Sequence, residues 1–181
     1  LRMNDRHRNS VEARFWKEHP EWRLKEYRGG LDYKHKGVRD TVLSFIEEVL
    51  TNYDVDGIEF DYMRWCHVFS PAEALENAPL ITDMTAQARR LLDDTASRRG
   101  ISRLRLGVRV PQTMEECRAL GYDVAAWVKQ GLVDYFFFYD LVMSFFLSMC
   151  RVFFVRFVYV SALKPPHLTL GPRHWVCVLS R

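Results

Sequence analysis

The 181-residue chain is predicted to be an α/β protein of parallel strands and crossover helices, in the form of a partial (β/α)8 barrel of the TIM type. Strand-like and helix-like segments alternate through residues 1–140, which is typical of a parallel sheet. No glycine-rich phosphate-binding loop is present, so a nucleotide-binding open sheet gains no support. One strand carries two carboxylates on one face, and a barrel can accommodate such groups at its open end.

The first elements are a strand end and a short helix. Residues 1–5 alternate apolar and polar side chains, as a strand does. Ser10 is expected to cap a helix that ends at His19-Pro20, and residues 25–37 are predicted to be loop. An amphipathic helix is predicted over residues 38–52, and the members of its apolar face are Val38, Val42, Phe45, Ile46 and Val49.

Two further strands and the helix between them follow. A turn at 54–57 leads to a strand over 58–64, in which Ile58, Phe60 and Tyr62 alternate with Glu59, Asp61 and Met63. A long connection with two prolines over 65–81 precedes a helix from about 83 to 98. The next strand is predicted over 104–110, with Arg109 on its polar side.

Two short helices and an aromatic strand complete the pattern. Thr113 and Glu116 have the spacing of a capping box. Asp123 is expected to cap the next helix, which Gly131 ends. Residues 132–138 are apolar and aromatic, and they predict a buried strand.

The charge pattern divides the chain into residues 1–140 and 141–181. The first part holds 21 basic and 23 acidic side chains, whereas the second holds five basic and no acidic ones. The second part is predicted to be an irregular hydrophobic and basic tail, and a non-native origin such as a translated frameshift is the hypothesis. Its apolar run is long enough for a membrane helix, but Arg151 and Arg156 argue against one. No membrane partner is therefore expected.

Composition excludes several function classes. A net charge of +3 is too small to indicate nucleic-acid binding. The four cysteines form no C-x-x-C pair, and no zinc site is predicted from them. His7, His35 and His67 lack the spacing of metal ligands. No metal and no other cofactor is expected.

Glu59 and Asp61 are the residues expected to carry chemistry. They project from the same face of one strand, because side chains two positions apart do so. Asp61 lies nearer the carboxyl end of the strand and is predicted to be catalytic or to bind substrate directly. Glu59 is predicted to be a deeper ligand or an orienting group. The alternative is a structural ion network, which gathers the same residue types.

Other side chains are expected to complete a sugar-binding pocket. Arg109 and Asn4 would come from the neighbouring strands, and Trp65 follows the acidic strand directly. Carboxylate, guanidinium and amide groups hold sugar hydroxyls, whereas aromatic faces stack on sugar rings. Glycoside hydrolysis needs two carboxyl groups that flank the bond. Because neighbouring carboxylates on one strand fit that role poorly, Asp5 is a second candidate, as is a residue outside this sequence.

Several motifs together resemble the glycoside hydrolase family 10-like proteins. They comprise residues 2–5, the run Tyr53-Asp54-Val55-Asp56-Gly57-Ile58-Glu59-Phe60-Asp61-Tyr62-Met63-Arg64, residues 107–111, Gly121-Tyr122-Asp123-Val124, Trp127 and residues 131–135. The resemblance covers about residues 1–139. It implies a (β/α)8 barrel and a hydrolase of O-glycosyl bonds, often in bacterial proteins. It also implies an acidic strand end at Asp61 with Arg64 nearby, so that Arg64 joins the substrate-binding candidates.

Three other functions remain open at this stage. The first is a non-catalytic carbohydrate-binding barrel that uses the same polar pocket, or an inactive truncated fragment of the enzyme. The second is a barrel hydrolase that acts through a metal, which would need clustered His and carboxylate ligands. The third is a membrane-associated protein that uses the tail.

Overall fold

A computed structural model describes residues 1–4, 14–27, 29–139 and 156–158. In chain order the helices and strands are α1 (Arg14–Glu18), a 3-10 turn (Pro20–Trp22), α2 (Lys36–Asn52), β1 (Gly57–Asp61), α3 (Ala74–Arg98), β2 (Arg105–Pro111), α4 (Met114–Ala119), α5 (Val124–Lys129), β3 (Tyr135–Tyr139) and β4 (Arg156–Val158). The prediction of an α/β fold with parallel strands and crossover helices is confirmed in this part of the chain.

The sheet has the order β1-β2-β3-β4. Strands β1, β2 and β3 are parallel neighbours in chain order. The first residues extend this pattern, because Arg2 forms a parallel bridge with Asp61 and the Met3 amide donates to the Asp61 carbonyl at 3.1 Å. Strand β4 pairs with β3 in the antiparallel direction. The predicted irregular tail otherwise lies outside the described residues.

The helices cover one face of this sheet. Alternate strand residues on that face, such as Phe60, Val108 and Phe136, are buried in one continuous core. They pack with apolar side chains of the helices, among them Ile46 of α2, Met84 and Leu92 of α3 and Trp127 of α5. Helix α3 contacts α2, α4 and α5. The helices therefore form a single layer, and the other face of the sheet remains for Glu59 and Asp61.

The buried face of helix α2 differs from the predicted apolar face at Phe45. Its buried residues are Val38, Val42, Ile46 and Leu50, whereas Phe45 is 50% exposed. The buried residues recur every four positions, so their stripe rotates slowly around the helix, and Phe45 lies about 80° from its middle at 100° per residue. Phe45 therefore lies at the exposed margin of the apolar face.

Helix α3 begins at Ala74, which is earlier than predicted, and it contains Pro79. Proline removes one backbone hydrogen bond and normally disfavours a helix interior. Here the apolar face continues on both sides of the proline, because Ala74 and Ile81 are both buried in the core. Tertiary packing thus outweighs local propensity. Two strand boundaries shift by three residues, since β1 ends at Asp61 rather than 64 and β3 begins at Tyr135 rather than 132, and the other strand boundaries shift by one residue.

The predicted helix caps at Thr113 and Asp123 are confirmed, while the predicted cap Ser10 lies outside the described residues. The Thr113 hydroxyl accepts from the Glu116 amide at 3.1 Å, and the Glu116 carboxylate accepts from the Thr113 amide at 3.1 Å. The Asp123 carboxylate accepts from the Ala126 amide at 2.9 Å. Gly131 follows α5 and has a φ of +64°. Residues other than glycine rarely adopt this conformation. These contacts fix where α4 and α5 begin and where the chain turns into β3.

An ion network that the sequence did not reveal lies where the chain enters β2 and β3. The Asp134 carboxylate accepts from Arg103 Nε at 2.7 Å, from Arg89 Nη1 at 3.1 Å and from the Leu106 amide at 2.8 Å. Arg89 belongs to α3 and is almost fully buried. The network therefore ties α3 to the amino ends of two strands, at the opposite edge of the sheet from Asp61.

Candidate functional site

The face of the sheet away from the helices carries two rows of side chains, which the strand register defines. Glu59 of β1, Gly107 of β2 and Tyr135 of β3 are paired neighbours in the lower row. Asp61, Arg109 and Phe137 form the upper row. The upper row lies nearer the carboxyl ends of the three parallel strands. In parallel α/β proteins, ligands bind at that edge.

Arg109 joins the two carboxylates of β1. Its Nη2 lies 3.2 Å from Glu59 Oε1, and its Nη1 lies 3.5 Å from Asp61 Oδ2. The exposed fractions of the side chains are 28% for Glu59, 20% for Asp61 and 35% for Arg109. The structure therefore brings together three of the predicted site residues, and it leaves each of them partly open to solvent.

The two carboxylates have different surroundings. Burial raises the pKa of Glu59 above its ordinary value, the Arg109 charge opposes that change, and the Asp61 charge adds to it. Asp61 has a further partner, because its Oδ1 accepts from the Met63 amide at 2.9 Å. This bond fixes the Asp61 side chain as the chain leaves β1. The arrangement places a carboxyl group of raised pKa, Glu59, beside a second carboxyl group, Asp61, that the Met63 amide holds in place.

Aromatic side chains on the same face were missed by the sequence analysis. Residues 132–138 were predicted to form a buried strand, but Tyr135 and Phe137 are only partly buried. They alternate with Phe136, which lies in the core. The alternation of a strand was the available signal, but aromatic residues at every position from 135 to 139 hid it.

The Asn4 side chain bonds to two loops at the carboxyl edge of the sheet. Its amide nitrogen donates to the carbonyls of Leu31 at 3.0 Å and His67 at 2.8 Å, and its oxygen accepts from the Leu31 amide at 3.0 Å. The side chain is buried, and these bonds join the connection before α2 to the connection before α3. Asn4 therefore holds two loops together beside the site. Asp5 lies outside the described residues.

Trp65 and Arg64 lie on the connection that follows β1. Trp65 packs edge-on against Tyr27, with ring centroids 5.6 Å apart, and 5.8 Å from the centroid of His67. Tyr27 and His67 stack at 3.9 Å, and burial lowers the pKa of His67. Arg64 is exposed. The three rings form an aromatic cluster on loops at the carboxyl edge of the sheet.

Other features of the described residues bear on the kind of chemistry. Within those residues, no group of three or more His, Cys, Asp or Glu side chains is placed to hold a metal ion. In the same part of the chain, no helix has the length and apolar character needed to cross a membrane. Two surface cavities, of about 550 and 400 Å³, lie near Tyr53 and between α2 and α3. Both are away from Glu59 and Asp61.

The chain was compared with known families and proteins. No protein-family model matches it, and no curated protein sequence matches it.

Proposed function

We propose that this chain is part of a (β/α)8 glycoside hydrolase that cleaves O-glycosyl bonds of a polysaccharide or oligosaccharide by carboxylate acid and base chemistry. The observation that carries the proposal is the cluster of Glu59, Asp61 and Arg109 on one face of a parallel sheet. Asp61 ends its strand, and catalytic groups of such barrels lie at strand ends.

The order of the strands supports a barrel over an open sheet. The segment at Arg2, then β1, β2 and β3, are parallel neighbours in chain order without a reversal. An open doubly wound sheet reverses its strand order and places helices on both faces. A barrel keeps the order and has helices only outside. Strand β4 departs from the barrel pattern by its antiparallel direction.

The proposed mechanism assigns separate roles to the two carboxyl groups. Glu59 lies one row deeper and orients Arg109, and the proton donor to the glycosidic oxygen is a second carboxyl group outside the described residues. Asp61 stabilises the positive charge that develops on the sugar ring, or activates the water that attacks it. Arg109 offsets the repulsion between Glu59 and Asp61 and donates hydrogen bonds to the substrate. Asn4 supports the neighbouring loops, while Trp65 and Arg64 contact more distant parts of the saccharide.

A non-catalytic carbohydrate-binding protein is the second candidate. The observation that favours it is that Glu59 and Asp61 project from one strand and share a single arginine. Carboxyl groups that cleave a glycosidic bond flank that bond from two sides. If Glu59 and Asp61 only hold hydroxyl groups, the site binds sugar without cleaving it.

The release of reducing ends distinguishes the two candidates. Purified protein from the complete gene is assayed on a panel of polysaccharides that includes peptidoglycan glycan. Asp61→Asn is expected to lower the rate about 10²–10⁴-fold, with an unchanged circular dichroism spectrum. Asp54→Asn is the matched control, because Asp54 is fully exposed and precedes β1 at the other edge of the sheet. Sugar binding without any release by the folded protein would contradict the hydrolase proposal.

A further inference from the structure

The side chains of β3 give the candidate site an apolar surface. Tyr135 and Phe137 lie on the same face as Glu59 and Asp61, and their rings meet edge to face with centroids 5.3 Å apart and an interplanar angle of 83°. Arg109 reaches toward this pair, since its Cζ lies 5.9 Å from the centroid of the Phe137 ring. The guanidinium therefore lies between the carboxylates on one side and the aromatic rings on the other.

Gly107 allows the Tyr135 ring to extend across β2. A Cβ atom at position 107 would lie 2.1 Å from Cε2 of Tyr135, so any other residue there would displace the Tyr135 ring. The ring thus occupies the space that a side chain of β2 would take. Burial raises the pKa of Tyr135 to about 12, and the nearby charge of Glu59 adds to that effect. The aromatic surface therefore reaches the acidic strand.

We infer that Tyr135 and Phe137 form an aromatic floor of two rings at right angles, and that a neutral pyranose ring packs on the Phe137 ring, with Asp61 and Arg109 binding hydroxyl groups at its edge. This inference rests on the proposed function, and it names the class of sugar and the residues that select it. Strands β1 and β3 are separated by two strand spacings, or about 9.6 Å between their axes. That width spans a single sugar ring, which lies over the Arg109 guanidinium that fills the space between Asp61 and Phe137.

The chemistry of a pyranose matches the two sides of this surface. Its ring face presents C–H groups, which pack on aromatic faces. Its edge presents hydroxyl groups, which can donate to Asp61 and accept from Arg109. A phenylalanine ring suits such a ligand better than a leucine side chain does, because only a flat surface contacts the whole ring face.

The charges on this face favour a neutral sugar. Two carboxylates, Glu59 and Asp61, share the positive charge of Arg109. Arg105 lies on the same face, one row below Gly107, and its Nη1 is 3.6 Å from Oδ1 of Asp134. A uronic acid would bring a third carboxylate beside Glu59 and Asp61, and like charges at such distances repel.

The test measures binding by isothermal titration calorimetry and hydrolysis by reducing-end release, in separate assays. The ligands are the neutral cellohexaose, xylohexaose and N-acetylchitohexaose, and the anionic hexagalacturonate. The proteins are the product of the complete gene, its variants Phe137→Leu, Phe137→Ala and Phe137→Trp, and the control variant Tyr53→Ala. Tyr53 is an exposed aromatic residue at the far edge of the sheet. Phe137→Leu keeps most of the apolar volume, so it remains informative if Phe137→Ala fails to fold.

The expected result is that at least one neutral hexasaccharide binds and that hexagalacturonate binds at least about tenfold more weakly. Phe137→Leu should weaken binding of the neutral sugar about tenfold, whereas Phe137→Trp and Tyr53→Ala should leave it within about threefold. Unchanged binding by Phe137→Leu, preference for hexagalacturonate, or no binding of any neutral ligand would each overturn the floor.

The two assays separate the floor from the proposed enzyme. Binding that depends on Phe137 without any release of reducing ends supports the floor and contradicts hydrolysis. Release of reducing ends with the same KM in the wild type and in Phe137→Leu supports the hydrolase and contradicts the floor.

Discussion

Removal of the Asp134 carboxylate should destabilise the whole fold. The exposed fraction of this side chain is only 9%, and its oxygens accept from Arg103, Arg89 and the Leu106 amide. Arg89 is itself only 5% exposed, and burial lowers its pKa, as does the nearby charge of Arg103. The substitution Asp134→Ala therefore leaves a buried positive charge and a backbone donor without their acceptor.

The expected loss can be estimated from these contacts. Breaking a buried ion pair costs about 3–5 kcal/mol, and an unsatisfied buried amide costs about 1–3 kcal/mol. Arg89 keeps its contact with Asp93 at 2.7 Å and its bond to the Leu104 carbonyl at 2.7 Å. Because Arg89 keeps these contacts, the expected loss for Asp134→Ala lies just below the combined range of about 4–8 kcal/mol, at about 3–4 kcal/mol. Asp134→Asn should lose less, because its amide oxygen can still accept from the Leu106 amide.

Urea denaturation followed by circular dichroism measures this loss. With a slope of about 2 kcal/mol per molar urea, Asp134→Ala should lower the midpoint by about 1.5 M or more. Asp54→Ala also removes a carboxylate partner of an arginine, at 3.2 Å from Arg99, but Asp54 is fully exposed. No measurable change is expected for that control. Equal midpoints for the two alanine variants would refute the reasoning that burial makes the Asp134 network important.

Three further predictions concern stability. The free energy of unfolding of the wild type, relative to that of Glu59→Gln, should fall as pH rises from the ordinary glutamate pKa of 4.5 through the raised pKa of the folded state. The fall is at most about 1.4 kcal/mol per pH unit. Urea titrations that show no pH dependence in this difference would contradict the prediction. Asn4→Ala should lower the free energy of unfolding by about 3 kcal/mol through its lost bonds, while the exposed Asn52→Ala should not. Arg99→Ala should lower the thermal midpoint, since Arg99 Nη2 donates to the Leu50 carbonyl at 2.7 Å at the end of α2, and Arg99→Lys should restore only part of the loss.

The sequence predicted the features that depend on neighbouring residues. The caps at Thr113 and Asp123 follow from side chains that bond to amides three positions away, so they form wherever the local chain turns into a helix. The shared face of Glu59 and Asp61 follows from the geometry of an extended strand. Arg109 was expected on the same side, because β2 alternates as β1 does.

Features that depend on contacts between distant segments were not predicted. Burial of α3 on both sides of Pro79 outweighs the helix-breaking effect of the proline, and the local sequence pattern could not show this burial. Asn4 was expected to bind substrate, but its amide meets loop carbonyls 27 and 63 positions away along the chain. The Asp134 network likewise joins residues from α3 and from the starts of two strands.

The sequence by itself therefore determined the succession of strands and helices, the caps, and the face on which the acidic residues lie, because each depends on local backbone geometry. Only the tertiary structure decided the register of β1, β2 and β3. That register places Arg109 between Asp61 and Phe137, and it places Gly107 beneath the Tyr135 ring. Register depends on packing of the whole sheet against its helices, and no short stretch of the chain contains that information.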